Sequence, residues 1–329
     1  MAGFGIEGDS PDDAVRPPAS EGQGGPTFSF ELYPPRDDAA AEAMQRSLAH
    51  LVAVGPEFVS VTYGASGSSR GVSLDVLRHL LHNTDVRPMA HLTCVGSSYA
   101  EASQLIREFL DAGVTSFLAL RGDPPAGALE GEAFLGDLGS AGELVQLIHR
   151  VQAERVPFVQ LPVPGFPGAR RLVSGDKVTI AVAAFPNGHP RSRSIEQDLD
   201  TLLAKEAAGA NLAISQLFFE ADEYLAFVDR ARAAGVTMRI LPGIMPVLSA
   251  ARLHRIVELS GDALPAQLLR DLEAADDPAA VGIEHATRLA ARLLDGGASG
   301  LHLYTFNRHS APLAVLGAVG LLDSARTPA

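Results

Sequence analysis

Ser29 and Glu31, Ser60 and Thr62, and His91 and Thr93 are three pairs of polar residues, each set two apart within a short apolar run. On an extended strand that spacing puts both members of a pair on one side. Glu31 is the most telling of the six. It closes the run Thr27-Phe28-Ser29-Phe30-Glu31-Leu32, which Tyr33-Pro34-Pro35-Arg36 brings to a stop. Phe28, Phe30 and Leu32 take the opposite side of the strand. A carboxylate there is poor packing but suits a group that must hold or deliver a proton. The plain alternative is an acid that caps the strand end in water.

Other strand-like runs end in comparable groups: Arg121-Gly122-Asp123-Pro124-Pro125, Phe185-Pro186-Asn187-Gly188-His189-Pro190, Gln216 ahead of Phe218 and Phe219, and Tyr304-Thr305-Phe306-Asn307-Arg308. Each has an ordinary reading. His91 alone is more often a satisfied core histidine, Arg121 and Asp123 a salt-bridged turn, and Phe218 and Phe219 core. Asp198 and Lys205, seven apart on a helix, share a face that by default is solvated. What the ordinary readings leave unexplained is that seven of eight strands end this way. A Schiff-base aldolase needs a lysine in the mouth. Lys177 precedes its strand and Lys205 lies on a helix. A metal hydrolase needs converging ligands, and no H-x-H or H-E-x-x-H spacing is present. A flavin site fits better: a lysine or helix N-terminus for the diphosphate, donors for the ring edge and an apolar wall.

The elements that must position these groups follow from periodicity. Strands are expected at Thr27–Leu32, Phe58–Tyr63, Met89–Val95, Ser116–Leu120, Val178–Phe185, Leu212–Phe218, Met238–Leu241 and Gly300–Phe306. Helices are expected at Ala39–Val54, Leu74–Leu81, Tyr99–Ala112, Gly142–Ala153, Ile195–Ala208, Ala221–Ala234, Ala250–Leu259 and Ala311–Leu321. Pro265–Glu273 and Pro278–Leu294 read as additional helices. Eight strand–helix units predict an α/β fold, a (β/α)8 TIM barrel with extra helices between strands 7 and 8. A doubly wound open sheet is the alternative. It would place a Gly-rich dinucleotide fingerprint after the first strand, and neither G-x-G-x-x-G in a strand-to-helix turn nor a P-loop is found. Arg155–Ser174 reads as an irregular excursion. Residues 1–26 read as a disordered leader, and residues 27–329 as one catalytic domain.

Bulk properties narrow the classes. A net charge of −13 and 47% hydrophobic residues argue for a globular protein with no affinity for nucleic acid or an anionic membrane. No apolar run is long enough to span a bilayer, no signal peptide is visible, and a cytoplasmic location is expected. Cys94, the sole cysteine, excludes an intrachain disulfide and a cysteine-built zinc site. Only two of the 26 basic residues are lysines, so Lys205 is a residue kept against an arginine bias.

Taken in order, Phe30-Glu31-Leu32-Tyr33-Pro34-Pro35-Arg36, Val61-Thr62-Tyr63-Gly64-Ala65, His91-Leu92-Thr93-Cys94, Leu120-Arg121-Gly122-Asp123, Gly209-Ala210-Asn211, Gln216-Leu217-Phe218-Phe219 and Tyr304-Thr305-Phe306-Asn307-Arg308 resemble the methylenetetrahydrofolate reductase family. The resemblance runs from Thr27 to about Leu322. It implies a barrel with non-covalent FAD. Hydride would pass by ping-pong kinetics from NADH or NADPH through flavin N5 to 5,10-methylenetetrahydrofolate. The product would be 5-methyltetrahydrofolate, within one-carbon metabolism and methionine biosynthesis. Glu31 would be the general acid that opens the methylene-bridged ring, its pKa raised by desolvation. Asp123 would bond the pterin and tune the flavin. Thr62, Gln216 and Arg308 would join them in holding folate. FAD would be lined by Thr62, Tyr63, Ala65, His91, Arg121, Gly122, Asp123, Phe134, Leu135, Asp137, Phe185, His189, Ser192, Asp198, Thr201 and Lys205. No metal is implied, and a homo-oligomer is expected. Phe185 stands where the family has a tyrosine, and Phe134-Leu135-Gly136-Asp137 departs from Tyr-Ala-x-Asp. Leu248-Ser249-Ala250-Ala251 lacks an aromatic that the family stacks on nicotinamide or folate. The adenosylmethionine-responsive regulatory domain of eukaryotic relatives is expected to be absent. Two other readings remain open: a flavin-dependent methyltetrahydrofolate oxidase using oxygen or another acceptor, and a non-catalytic folate-binding subunit.

Overall fold

A computed structural model describes residues 25–62, 70–124, 134–155, 159–162, 170–173 and 178–322. In chain order the elements are β1 (Thr27–Leu32), α1 (Asp38–Ala53), β2 (Phe58–Val61), α2 (Arg70–Asn83), β3 (Arg87–Thr93), α3 (Tyr99–Asp111), β4 (Ser116–Leu120), α4 (Ala141–Arg155), β5 (Val159–Pro162) and β6 (Arg170–Val173). They continue with β7 (Thr179–Ala184), α5 (Ile195–Ala207), β8 (Leu212–Ser215), α6 (Ala221–Ala233), β9 (Arg239–Leu241), β10 (Gly243–Ile244), α7 (Ala250–Ser260), α8 (Ala266–Ala274), α9 (Pro278–Asp295), β11 (Gly300–Tyr304) and α10 (Ser310–Ala318).

The main sheet is parallel throughout and runs β10-β11-β1-β2-β3-β4-β7-β8-β9. β9 and β10 are two halves of one strand, broken at Pro242, which has no N–H to give to a ladder. The Pro242 carbonyl instead accepts from the His302 N–H at 2.9 Å. Because the outer members of that order are one stretch of chain, the sheet closes on itself. The protein is a (β/α)8 barrel, with α8 and α9 inserted between the seventh and eighth barrel strands. Gly243 permits the closure: a Cβ there would meet the Ser215 carbonyl oxygen at 2.3 Å.

Strand parity sorts the side chains into two cores. Phe28, Phe30, Leu32, Val59 and Val61 point outward, packing with α1 residues such as Leu48 and Leu51. Phe58, Met89, Leu118, Ala181, Leu212, Ile214 and Leu241 form a separate cluster inside the barrel. Ser29, Glu31, Ser60, His91, Ser116 and His302 share that inward parity and are all buried. Helix ends follow local chemistry. Asp37 accepts from the Ala40 N–H at 2.8 Å before α1. Ser98 and Glu101 form a reciprocal capping box on α3. Ser194 and Ser249 cap α5 and α7.

Two expectations need correction. Arg155–Ser174 is not wholly irregular: β5 and β6 pair antiparallel, from Val159 opposite Val173 to Pro162 opposite Arg170. The second, third, fifth, sixth and eighth strands also end earlier than expected, at Val61, Thr93, Ala184, Ser215 and Tyr304. The residues beyond those points leave the ladder to become loop.

Candidate active site

Glu31 lies one residue before the end of β1 and is 6% exposed. The β11 register sets it beside Tyr304 and sets Ser29 beside His302. Its Oε2 is 3.6 Å from His91 Nε2 on β3 and 4.0 Å from His302 Nε2 on β11. Both ring nitrogens are buried without a hydrogen-bond partner. His302 is oriented from behind by a 2.8 Å contact between its Nδ1 and Ser29 Oγ. Its ring also stacks on Phe58, centroids 5.7 Å apart. The Tyr33 hydroxyl donates to the Glu31 carboxylate. Thr305 Oγ1 donates to the Glu31 backbone carbonyl at 2.7 Å.

Electrostatics in this cluster differ from the expectation. Burial pushes the Glu31 carboxyl up, but His302, His91 and Tyr33 together more than offset it, so its pKa lies below the ordinary value. Desolvation was legible in the sequence; the ring of neighbours was not. His91 is pushed down to about 4, by burial first, with Glu31 opposing that and His302 reinforcing it. It is therefore neutral at neutral pH. Tyr33 and Tyr304 are both raised, chiefly by burial and then by Glu31, and stay protonated donors. The Tyr304 hydroxyl donates to the Ser215 carbonyl at 2.9 Å. Among the described residues no group of three or more His, Cys, Asp or Glu is arranged to hold a metal ion.

Beyond this cluster the mouth carries cations. The Arg121 guanidinium follows β4 and lies 5.7 Å from the centroid of Phe134. One of its terminal nitrogens is buried and unbonded. Gly122 has φ 84°, and a Cβ would meet Val95 Cγ2 at 2.4 Å, so only glycine lets the loop pass. Lys205 on α5 reaches back to donate to the Ala183 carbonyl at 2.8 Å and faces the Phe185 ring at 5.9 Å. Burial lowers its pKa to about 8, opposed by Asp198. Asp198 accepts from the His189 N–H at 2.9 Å and from Ser192 Oγ at 2.5 Å. The Phe185 and His189 rings meet edge to face, 4.7 Å between centroids. FAD fits this side: an orphaned guanidinium nitrogen and a buried lysine suit a diphosphate, and aromatic rings form a wall.

Not every expected residue joins these groups. Asp123 is exposed and close enough to His189 to act on it. Asp137 accepts from the Tyr99 N–H at 2.8 Å, at the start of α3. Leu135 makes an isolated bridge with Val95. Thr201 Oγ1 is turned onto its own helix, donating to the Gln197 carbonyl at 2.7 Å. Gln216 Oε1 accepts from the adjacent Leu217 N–H at 2.8 Å. The Arg308 N–H donates to the Thr305 carbonyl at 3.0 Å, in the turn after β11. Thr62 is the last described residue after β2; Tyr63 and Ala65 lie outside the described residues.

Sequence reasoning passed over His302, Arg191 and Arg252. The parity rule could have found His302, which alternates with Tyr304 as Ser29 does with Glu31. Arg252, in the first turn of α7, lies 4.4 Å over the Phe306 ring. Phe306 also stacks on Tyr33, centroids 5.5 Å apart. It is 37% exposed, in a left-handed conformation of φ 49°. Asn307 secures this turn by accepting from the Tyr33 N–H and donating to the Tyr33 carbonyl, each at 2.8 Å. So an aromatic pair covered by a guanidinium stands beside the segment 248–251, which has no aromatic of its own.

Comparison with known proteins decides the family. Residues 18–320 match the family described as methylenetetrahydrofolate reductase. The chain belongs to the methylenetetrahydrofolate reductase family. It is 30% identical over 313 residues to the 5,10-methylenetetrahydrofolate reductase of Escherichia coli, covering 94% of this chain and 96% of that one. It is 30% identical over 308 residues to methylenetetrahydrofolate reductase (NADH) 1 of Arabidopsis thaliana, covering 92% of this chain and 50% of that one. Against a probable methylenetetrahydrofolate reductase (NADPH) of Caenorhabditis elegans the identity is 33%, over 89% of this chain and 42% of that one. A solved Clostridium thermocellum protein described as binding two copies of 5-methyl-5,6,7,8-tetrahydrofolic acid shares the fold. Its TM-score is 0.59 at 13% identity, over 90% of this chain and 94% of that one. Membership in the reductase family thus rests on sequence, and the barrel agrees with it. No helix among the described residues is long and apolar enough to cross a membrane.

Proposed function

We propose that the protein reduces 5,10-methylenetetrahydrofolate to 5-methyltetrahydrofolate with bound FAD and either NADH or NADPH as reductant. The observation that carries this reading is Glu31, a buried acid at the barrel mouth among His91, His302 and Tyr33, in a chain that aligns nearly end to end with a bacterial reductase. When bound, FAD would supply the two-electron carrier between the nicotinamide and the folate. Arg121, Gly122, His189, Asp198 and Lys205 would hold it.

The chain's own groups do the acid–base work. Glu31 must give a proton to a nitrogen of the methylene bridge, so that the ring opens to an electrophilic iminium. Among His302, His91 and Tyr33 its carboxyl is held low. A pterin over the mouth expels the remaining water and moves the carboxyl toward its protonated form. His91, 3.6 Å from the carboxylate and itself neutral, lines the acid's pocket without holding its proton, which leaves that proton for the folate. Tyr33 orients the carboxylate as a permanent donor. Asp123 accepts from the pterin, and Gln216 and Arg308 steady the folate.

The visible spectrum of the purified protein, followed by anaerobic titration with NADH and NADPH, tests the reading. Bleaching of the flavin by either nucleotide, and its reoxidation by methylenetetrahydrofolate, are expected. A flavin bleached only by 5-methyltetrahydrofolate would make the protein an oxidase. A colourless protein that takes up no added FAD would overturn the proposal.

A further inference from the structure

Arg191 is an exposed residue in the turn between β7 and α5. Its guanidinium carbon lies 5.6 Å from the centroid of Phe134, the ring that Arg121 approaches to 5.7 Å. The Arg191 N–H donates to His189 Nδ1 at 3.0 Å, which fixes the turn from which the side chain reaches that ring. His189 registers the crowding: its pKa is lowered by burial first and then by Arg121, with Arg191 adding to the effect and Asp198 and Asp123 opposing it. Lys205 adds a third cation close to Asp198. Of the two acids, Asp198 is already engaged by the His189 N–H and Ser192 Oγ. Cations gathered on one ring repel each other, and one Arg121 nitrogen is buried with no acceptor. In a chain of net charge −13, a local excess of positive charge with an open donor describes a place for an anion.

We propose that Arg191 binds the diphosphate of the flavin dinucleotide, acting with Arg121 beside Phe134. The inference rests on the FAD reading and adds a residue that the family resemblance does not assign. Phosphate oxygens accept from the free N–H groups of both arginines, and the anion removes the repulsion between them. Guanidinium forks match such oxygens better than an ammonium does.

Flavin-free full-length protein is titrated with FAD, FMN and riboflavin, following the quenching of flavin fluorescence. The variants are Arg191→Ala, Arg191→Lys and, as a control, the exposed neighbour Arg193→Ala. Arg191→Ala is expected to weaken FAD about tenfold, the loss of one charge-assisted contact, and to leave riboflavin unchanged. Arg191→Lys restores part of the loss, and Arg193→Ala changes nothing. Unchanged FAD affinity in Arg191→Ala overturns the assignment. So does an equal loss for FAD and riboflavin, which would make Arg191 a support for the turn. A wild-type protein that binds none of the three flavins overturns the FAD reading itself.

Discussion

The two ends of the barrel treat their charges in opposite ways. At the floor, Arg239 lies where β9 begins and reaches both Glu57 carboxylate oxygens, at 2.8 and 2.9 Å. It also donates to Thr27 Oγ1 at 2.5 Å and to Ser299 Oγ at 2.9 Å. Thr27 Oγ1 in turn donates to Glu57. Four separate segments are tied by one saturated network. At the mouth, His91 Nε2, His302 Nε2 and an Arg121 nitrogen are buried without partners. An unpaired buried polar group costs about 1–3 kcal/mol. Near the floor a lone neutral hydroxyl, Ser116 Oγ, is also unbonded, but the charged groups there are paired. A fold that pairs the charges of its floor and leaves a guanidinium nitrogen and two imidazole nitrogens unpaired at its mouth has set those groups aside for something that binds there.

The sharpest way to break this contrast is at Glu31. Glu31→Gln keeps the shape and removes the transferable proton. Reduction of methylenetetrahydrofolate is expected to fall about 10²- to 10⁴-fold, while flavin binding and reduction by nicotinamide persist. Unaltered folate turnover in a stopped-flow assay would take Glu31 out of the chemistry.

Arg239→Met should do the reverse. It removes the hub of the floor while keeping an apolar stem, and leaves Glu57 without its main partner. A loss of about 1.5–3 kcal/mol in urea unfolding is expected, since each bond lost was to a charged group or from one. Flavin affinity and KM should not move. A variant that lost activity but not stability would show that floor and mouth are not separable.

Much of this division was legible in the sequence. The strand Ser116–Leu120 was read to the residue, and the alternation of Ser29 with Glu31 placed the acid inside. Local periodicity carries that much because a strand's two faces are set two residues at a time. Contacts between distant segments were not legible. Arg239 and Glu57 lie 182 positions apart; nothing near either residue names the other. The same holds for Arg252 over Phe306. The direction of the Glu31 shift was missed because it depends on three neighbours from β3, β11 and the loop after β1, which only the closed barrel assembles.

His91 gives the mouth a signature in acid. Its folded pKa of about 4 lies below its ordinary value of 6.5. A histidine lowered in this way contributes stability that is fully present above 6.5 and is lost as pH falls toward 4. Stability should decline by about 1–2 kcal/mol by about pH 5, measured as the urea midpoint. His91→Asn should flatten that slope. A wild-type midpoint constant over this window would mean that His91 is not held neutral by burial.

Lys205 offers the finest test, because here the cation and its ligand are read together. Burial lowers its pKa to about 8. An anion beside it favours the charged ammonium, so binding raises that pKa and takes up a proton above pH 8. FAD affinity should therefore be steady below about 8 and weaken above it, by no more than about tenfold per pH unit. Lys205→Ala should bind more weakly at neutral pH and lose the dependence, while riboflavin, which has no phosphate, should show none in either protein. If the wild-type affinity for FAD is flat through pH 9, the lysine serves only the Ala183 carbonyl it already holds, and the cations that face the anion reduce to the two arginines beside Phe134.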